Sequence, residues 1–159
     1  MSEPGQQPEA RRSSRRRSRE LAVQGLYQGQ LTGDGADAIE KQLRHQRDFD
    51  KADERFFLEV LRGVLARAAE LDQSLAPCLD RPASELSPVE HAILLIGAFE
   101  LSQRLEIPYR VVINEAVELA KVFGGTDGYK YVNGVLDKLA PRFRDVEVRS
   151  KRGSARPRG

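Results

Sequence analysis

The sequence predicts an all-α protein, a bundle of about six to seven helices. Three observations carry that prediction. No stretch shows sustained period-two alternation of apolar and polar residues, the pattern of a half-buried strand. Phe57, Val60, Leu61, Val64, Ala68, Leu71 and Leu75 fall at spacings of three and four, one continuous apolar stripe. Helix-start and helix-stop residues also punctuate the chain at helical intervals, most completely at Ser87-Pro88-Val89-Glu90.

Taken in order, residues 1–13 are rich in Pro, Gly and Gln and read as a disordered polar arm. Residues 14–143 read as the helical domain, and residues 144–159 as a disordered basic tail without core residues. The first helix is expected from about Ser14 to Leu31, ending at "TGDGAD", and a weaker second one from about Ala36 to Arg47. The striped third helix should start near Ala52 and span about 30 Å. Pro77 and Pro82 interrupt the segment after it. At the next start, Ser87 can cap, Pro88 suits the first helical position and Glu90 can close the capping box. The helix it opens, "HAILLIGAFELS", is apolar nearly all round and should be the buried centre. A fifth helix opens at Pro108 and is expected to end at Gly124 as a left-handed cap. The last begins near Asp127, keeps Val132, Val135, Leu136 and Leu139 on one side, and should stop at Pro141.

A net charge of only +2 conceals an asymmetry, because arginines and lysines crowd both ends while the middle is mixed or acidic. Such asymmetry points to a nucleic-acid or anionic partner. The single cysteine, Cys78, excludes an intramolecular disulfide and fits a reducing compartment. No apolar run approaches the ~20 residues of a membrane span, and the N-terminus lacks the apolar core of a signal peptide. A cytoplasmic protein is expected.

The signals of an enzyme are missing. His45, His91 and Cys78 show no metal-ligand spacing. Phosphate-binding glycine fingerprints, nucleophile elbows and paired-histidine helices are absent. Glu115 and Glu118 share a helix face, which suits an acid/base pair in principle but reads better as a solvated acidic face. His91 reads as a surface or interface residue. No catalytic residue, metal or cofactor is therefore expected.

The first helix poses the sharper question. Its N-terminal end carries about half a positive charge, so arginines there are unfavourable by a few tenths to about 1 kcal/mol each. Yet Arg15, Arg16, Arg17 and Arg19 all stand there. Arg12, Arg15 and Arg19 share a side with the core-facing Ala22 and Leu26, and buried arginine needs a partner. The first turns are therefore expected to overhang the bundle and present guanidiniums to phosphate; the plainer alternative is a solubilising end that binds nothing. Near the other end, Tyr129 and Tyr131 flank Lys130, the cation-and-aromatic mixture that holds single-stranded RNA. Tyr131, one residue before Val132, suits base stacking or the core equally.

"RRRSRELAVQGLYQGQL" together with "IPYRVVINEAVELAKVFGGTDGYKYVNGVLDKLAP" resembles the NusB family of bacterial transcription antitermination factors. The resemblance covers about Ser14 to Pro141. It implies an all-α fold of two packed helical subdomains. It also implies a non-enzymatic role, in which the boxA element of nascent RNA is bound jointly with the ribosomal protein NusE. That pair helps assemble an antitermination complex, with other Nus factors, on RNA polymerase during ribosomal RNA synthesis. Carried over by position, the resemblance implies RNA contacts at Arg15, Arg16, Arg17, Arg19, Asp127, Lys130 and Tyr131. It implies a NusE-facing role for Tyr27 and Glu90, and self-association in some members. This chain departs in carrying Tyr131 where phenylalanine is frequent, and in the glycines Gly124, Gly125 and Gly128 around the loop.

Alternatives share this pattern. The length leaves no room after Pro141 for the cofactor-binding domain of an RNA methyltransferase carrying such a module. A ribosome-assembly or RNA-chaperone role would use the same RNA surface. A protein-interaction module would bind no RNA.

Overall fold

The computed structural model of the chain describes residues 8–125 and 127–155. Among them are seven α-helices and no strand: α1 Pro8–Thr32, α2 Ala36–Leu43, α3 Glu54–Leu75, α4 Pro88–Gln103, α5 Tyr109–Phe123, α6 Gly128–Phe143 and α7 Asp145–Ala155. Short 3-10 turns at Phe49–Lys51, Ala76–Cys78 and Ala83–Glu85 fill the connections. The chain divides between Arg67 and Ala68 into two compact units. No described helix is long and apolar enough to cross a membrane.

In the first unit, Leu21, Ala22 and Leu26 of α1, Ile39 and Leu43 of α2, and Phe57, Val60 and Leu61 of α3 form the core. Gly25 lets α1 and α2 approach closely, because a Cβ there would sit 2.8 Å from Ile39 Cγ2 and 3.0 Å from Leu43 Cδ1. Helix α1 ends on Gly33, whose φ of 77° is the left-handed conformation that a side chain resists. Helix α2 stops at Leu43, short of the expected Arg47. The chain turns there to bury Phe49, whose ring meets Phe57 edge-on at 5.7 Å. Arg44 holds the corner by bonding Glu40 and Glu54. Helix α3 then starts where Asp53 Oδ1 accepts the Phe56 N–H at 3.0 Å.

The second unit is built around α4, buried without a break from Ala92 to Leu101 and packed by α5 and α6. Ser87 caps α4 as expected, its hydroxyl accepting the Glu90 N–H at 3.1 Å. Gly97 lets α4 and α6 close together, since a Cβ would lie 2.7 Å from Leu136 Cδ1.

Four expectations need correction. Gly124 is extended (φ −87°, ψ −179°), not left-handed. Its missing side chain matters sterically, because a Cβ would sit 2.7 Å from the Ala120 carbonyl oxygen. Pro141 lies inside α6, which runs on to Phe143. Placed in the last turn, it removes one ladder bond, to the carbonyl of solvent-exposed Asp137. Glu115 is buried, only 4% exposed, so it does not belong to a solvated face, whereas Glu118 pairs with Lys121 at 3.5 Å.

The fourth correction concerns both ends. Helix α1 already begins at Pro8, within the expected arm, and Asp145–Ala155 of the expected tail is helix α7. The tail does carry core residues: Val148 and Arg144 are 1% and 5% exposed. The Arg144 guanidinium donates to the carbonyls of Glu100 (3.2 Å), Leu101 (2.8 Å) and Arg104 (3.0 Å), and to Glu147 Oε1 (2.7 Å). It thereby supplies a donor to the Leu101 carbonyl at the end of α4 and a second donor to the Glu100 and Arg104 carbonyls, which also accept the Arg104 and Ile107 N–H groups. Glu147 in turn accepts the Tyr109 N–H at 2.8 Å, at the start of α5. Residues 1–7 and 156–159 of the expected arm and tail lie outside the described residues.

Candidate nucleic-acid interface

The arginines of α1 do not all overhang. Residues Ser14–Arg19 are docked on the start of α3, where the Asp53 N–H donates to the Ser14 carbonyl at 3.2 Å. The Ser18 hydroxyl lies 2.7 Å from the Asp53 carbonyl oxygen. Two guanidiniums share one aromatic ring, Arg15 at 4.6 Å and Arg19 at 4.9 Å from the centroid of Phe56. Arg15 also approaches Asp53 at 3.9 Å. Arg19 is 2% exposed and belongs to the fold, contrary to expectation. Its burial is tolerated because a guanidinium is weakly hydrated and gains from an aromatic face. Arg17 is half-buried and bonded to Glu20 at 3.1 Å. Arg16 is exposed, as are Arg11 and Arg12.

Tyr27 also reaches solvent, with Leu31 one turn further along α1; they are 39% and 65% exposed. Arg16 and Tyr27 are separated by about three turns, so they lie on the same side of α1, roughly 16 Å apart along its axis. An exposed cation and an exposed apolar pair thus occupy one solvent-facing stripe of α1.

In the second unit, the start of α6 gathers the other predicted groups. Asp127 and Lys130 are both well exposed and pair at 3.6 Å. Asp127 precedes α6 but its carboxylate makes no cap bond, so the capping role expected of a residue there is not used. Lys121 and Lys130 approach the ring of Tyr129 at 5.2 and 6.0 Å. Tyr131 is half-buried, and its ring is covered on one side by the Arg81 guanidinium at 4.5 Å. Burial raises the Tyr131 hydroxyl pKa, while the guanidinium beside Asp80 holds that carboxyl below its usual range. Glu90 has its carboxylate against α6, with Oε2 3.1 Å from where a Cβ on Gly128 would stand. A side chain at position 128 would therefore require the Glu90 carboxylate to shift by a few tenths of an ångström.

Arg81 and Lys121 escape a reading of the sequence. Neither carries a periodic signal: Arg81 sits in the proline-interrupted connection, and Lys121 looks like any solvated helix end. His91, expected to be a surface or interface residue, is partly buried, and its Nε2 lies 2.7 Å from Asp72 Oδ1. Among the described residues no three His, Cys, Asp or Glu side chains come together as a metal site. Cys78 is buried, which raises its thiol pKa.

Comparison with known proteins gives these features a context. The sequence profile of the NusB family matches residues 16–141. The chain is 60% identical over 141 residues to a transcription antitermination protein NusB of Paraburkholderia xenovorans, covering 89% of this chain and 98% of that protein. The chain belongs to the NusB family. A NusB protein of Nitrosospira multiformis is 60% identical over 133 residues, covering 84% of each chain. The structure of T. maritima NusB superposes with a TM-score of 0.73 at 26% identity, covering 94% of this chain and 99% of that one. A crystal structure of NusB and NusE in complex with double-stranded RNA has a TM-score of 0.70 at 22% identity over 82% and 98% of the two chains, a likeness of fold. NusB membership places the chain among non-enzymatic transcription antitermination factors.

The Asp127–Lys130 pair gives a prediction whose sign is informative. If phosphate passes Lys130, Asp127 repels it and competes for the ammonium. Asp127→Asn should fold normally, because an exposed pair contributes ~0–1 kcal/mol. It should bind single-stranded RNA about twofold to fivefold more tightly at low salt, the gain shrinking as screening increases. A salt-series titration of both proteins reads the outcome. Weaker binding at every ionic strength would mean that the carboxylate accepts bonds from the RNA.

Proposed function

We propose that this chain acts in the cytoplasm in transcription antitermination, binding a boxA element of nascent RNA jointly with NusE. In this reading the pair helps assemble an antitermination complex, with other Nus factors, on RNA polymerase during ribosomal RNA synthesis. The observation that carries the proposal is the 60% identity to a transcription antitermination protein over 98% of that relative's length. Exposed Arg16 on α1 and the Lys130–Tyr131 segment of α6 supply the cations and aromatic faces that unpaired RNA requires. Tyr27 and Leu31 supply an apolar pair on the same side of α1 as Arg16, which suits joint recognition of RNA and a protein.

Tyr27 and Glu90 separate the two surfaces unequally. Tyr27→Ala should weaken NusE binding by about 2 kcal/mol, as tyrosine hot spots do. Weak RNA binding by the chain alone should be unchanged. Glu90→Ala should disturb both, because that carboxylate also packs on the first turn of α6. Calorimetry against purified NusE, paired with RNA titration of each free variant, tests this. Equal loss of both ligands in Tyr27→Ala would contradict the separation.

A further inference from the structure

We propose that Arg81 is a further RNA-contacting residue, its guanidinium and the Tyr131 ring forming one stacking platform for an unpaired base. The inference rests on the RNA-binding role proposed for the α6 surface. Arg81 lies between the 3-10 turns Ala76–Cys78 and Ala83–Glu85, directly before Pro82, which biases its backbone toward an extended conformation. From there its guanidinium covers the Tyr131 ring at 4.5 Å. Asp80 holds it in that position through a fork, Nε to Oδ1 at 2.8 Å and Nη2 to Oδ2 at 3.3 Å. The Asp80 N–H points at the Tyr131 hydroxyl at 3.4 Å, which closes the cluster.

The arrangement changes what RNA would meet. One face of Tyr131 is not bare, and a base arriving on that side meets the guanidinium plane first. That plane is itself a stacking surface for bases, and its edge carries five N–H donors. Asp80 engages the edge on one side only, leaving donors for a phosphate or a base edge. The Arg81 side chain is 41% exposed, so the platform opens to solvent. Asp80 and Glu90 are the carboxylates acting on this guanidinium, and both oppose phosphate. Charge and stacking therefore make different demands on this position. A lysine would keep the charge and lose the plane.

The test uses the full chain, a single-stranded boxA RNA and saturating NusE, titrated over a salt series. Arg81→Ala should weaken binding about tenfold, the scale of one lost stacked base. It should also make the salt slope shallower by about 0.7, one phosphate contact. Arg81→Lys should restore the slope but recover less than half of the lost affinity on a logarithmic scale. Asp80→Asn keeps an oxygen acceptor for the guanidinium and removes the opposing charge, so it should tighten binding. The gain should be clearly smaller when Arg81 is alanine, a coupling that a merely structural arginine would not produce. Unchanged binding by Arg81→Ala would overturn the inference while leaving the RNA-binding role standing. Tighter binding would overturn it too, since Arg81 would then be a cover over Tyr131. Absence of RNA binding by the wild-type chain would overturn the RNA-binding role and this inference with it. Arg81→Lys and Asp80→Asn keep the platform testable if alanine impairs folding.

Discussion

Replacing Arg16 and Arg17 together by alanine should leave the fold intact and weaken RNA binding about tenfold or more. Arg16 is exposed, and half-buried Arg17 bonds Glu20 on its own helix, so the stability change should stay within about 1 kcal/mol. Two lost phosphate contacts should make the salt slope for single-stranded RNA shallower by about 1.4. Arg19→Ala should behave differently. Its guanidinium is buried over Phe56, so the loss is one of packing and cation–aromatic attraction, about 2 kcal/mol of stability. Urea unfolding and RNA titration of the two variants separate the roles. Wild-type affinity and an unchanged slope in the Arg16/Arg17 variant would mean that this face of α1 carries no RNA.

Arg144→Met should destabilise the protein by about 3 kcal/mol or more, the scale of breaking a buried charged pair by removing one partner. The change leaves three backbone carbonyls at the end of α4 and the Glu147 carboxylate without their shared donor. Arg144→Lys should rescue little of this, because one ammonium cannot reproduce the guanidinium fork. Urea denaturation gives the difference directly. A loss below about 1 kcal/mol would show that α7 contributes little to the second unit.

The helices legible in the sequence are those whose signal is local. The period of the α3 stripe, the apolar run of α4 and the Ser87 cap are all properties of neighbouring residues. The features that escape depend on partners distant in the chain. Arg144 and Val148 look like basic tail until α4 supplies carbonyls and a core to receive them. Arg19 looks like an overhanging cation until Phe56 is placed beneath it. Gly124 escapes for a related reason: its role depends on its distance from the Ala120 carbonyl, which residue type alone does not disclose. The candidate site divides in the same way. Lys130 and the tyrosines beside it stand out as a motif, whereas Arg81 reaches Tyr131 only through the folded connection.

Joint recognition of RNA with a protein partner comes down to one titration. A single-stranded boxA RNA is titrated with the full-length chain, alone and with saturating NusE, at fixed salt. Weak binding is expected for the chain alone, clearly tighter binding with NusE, and loss of affinity when the boxA sequence is scrambled. Binding that is undetectable even with NusE present, or equally tight to the scrambled RNA, would contradict joint recognition.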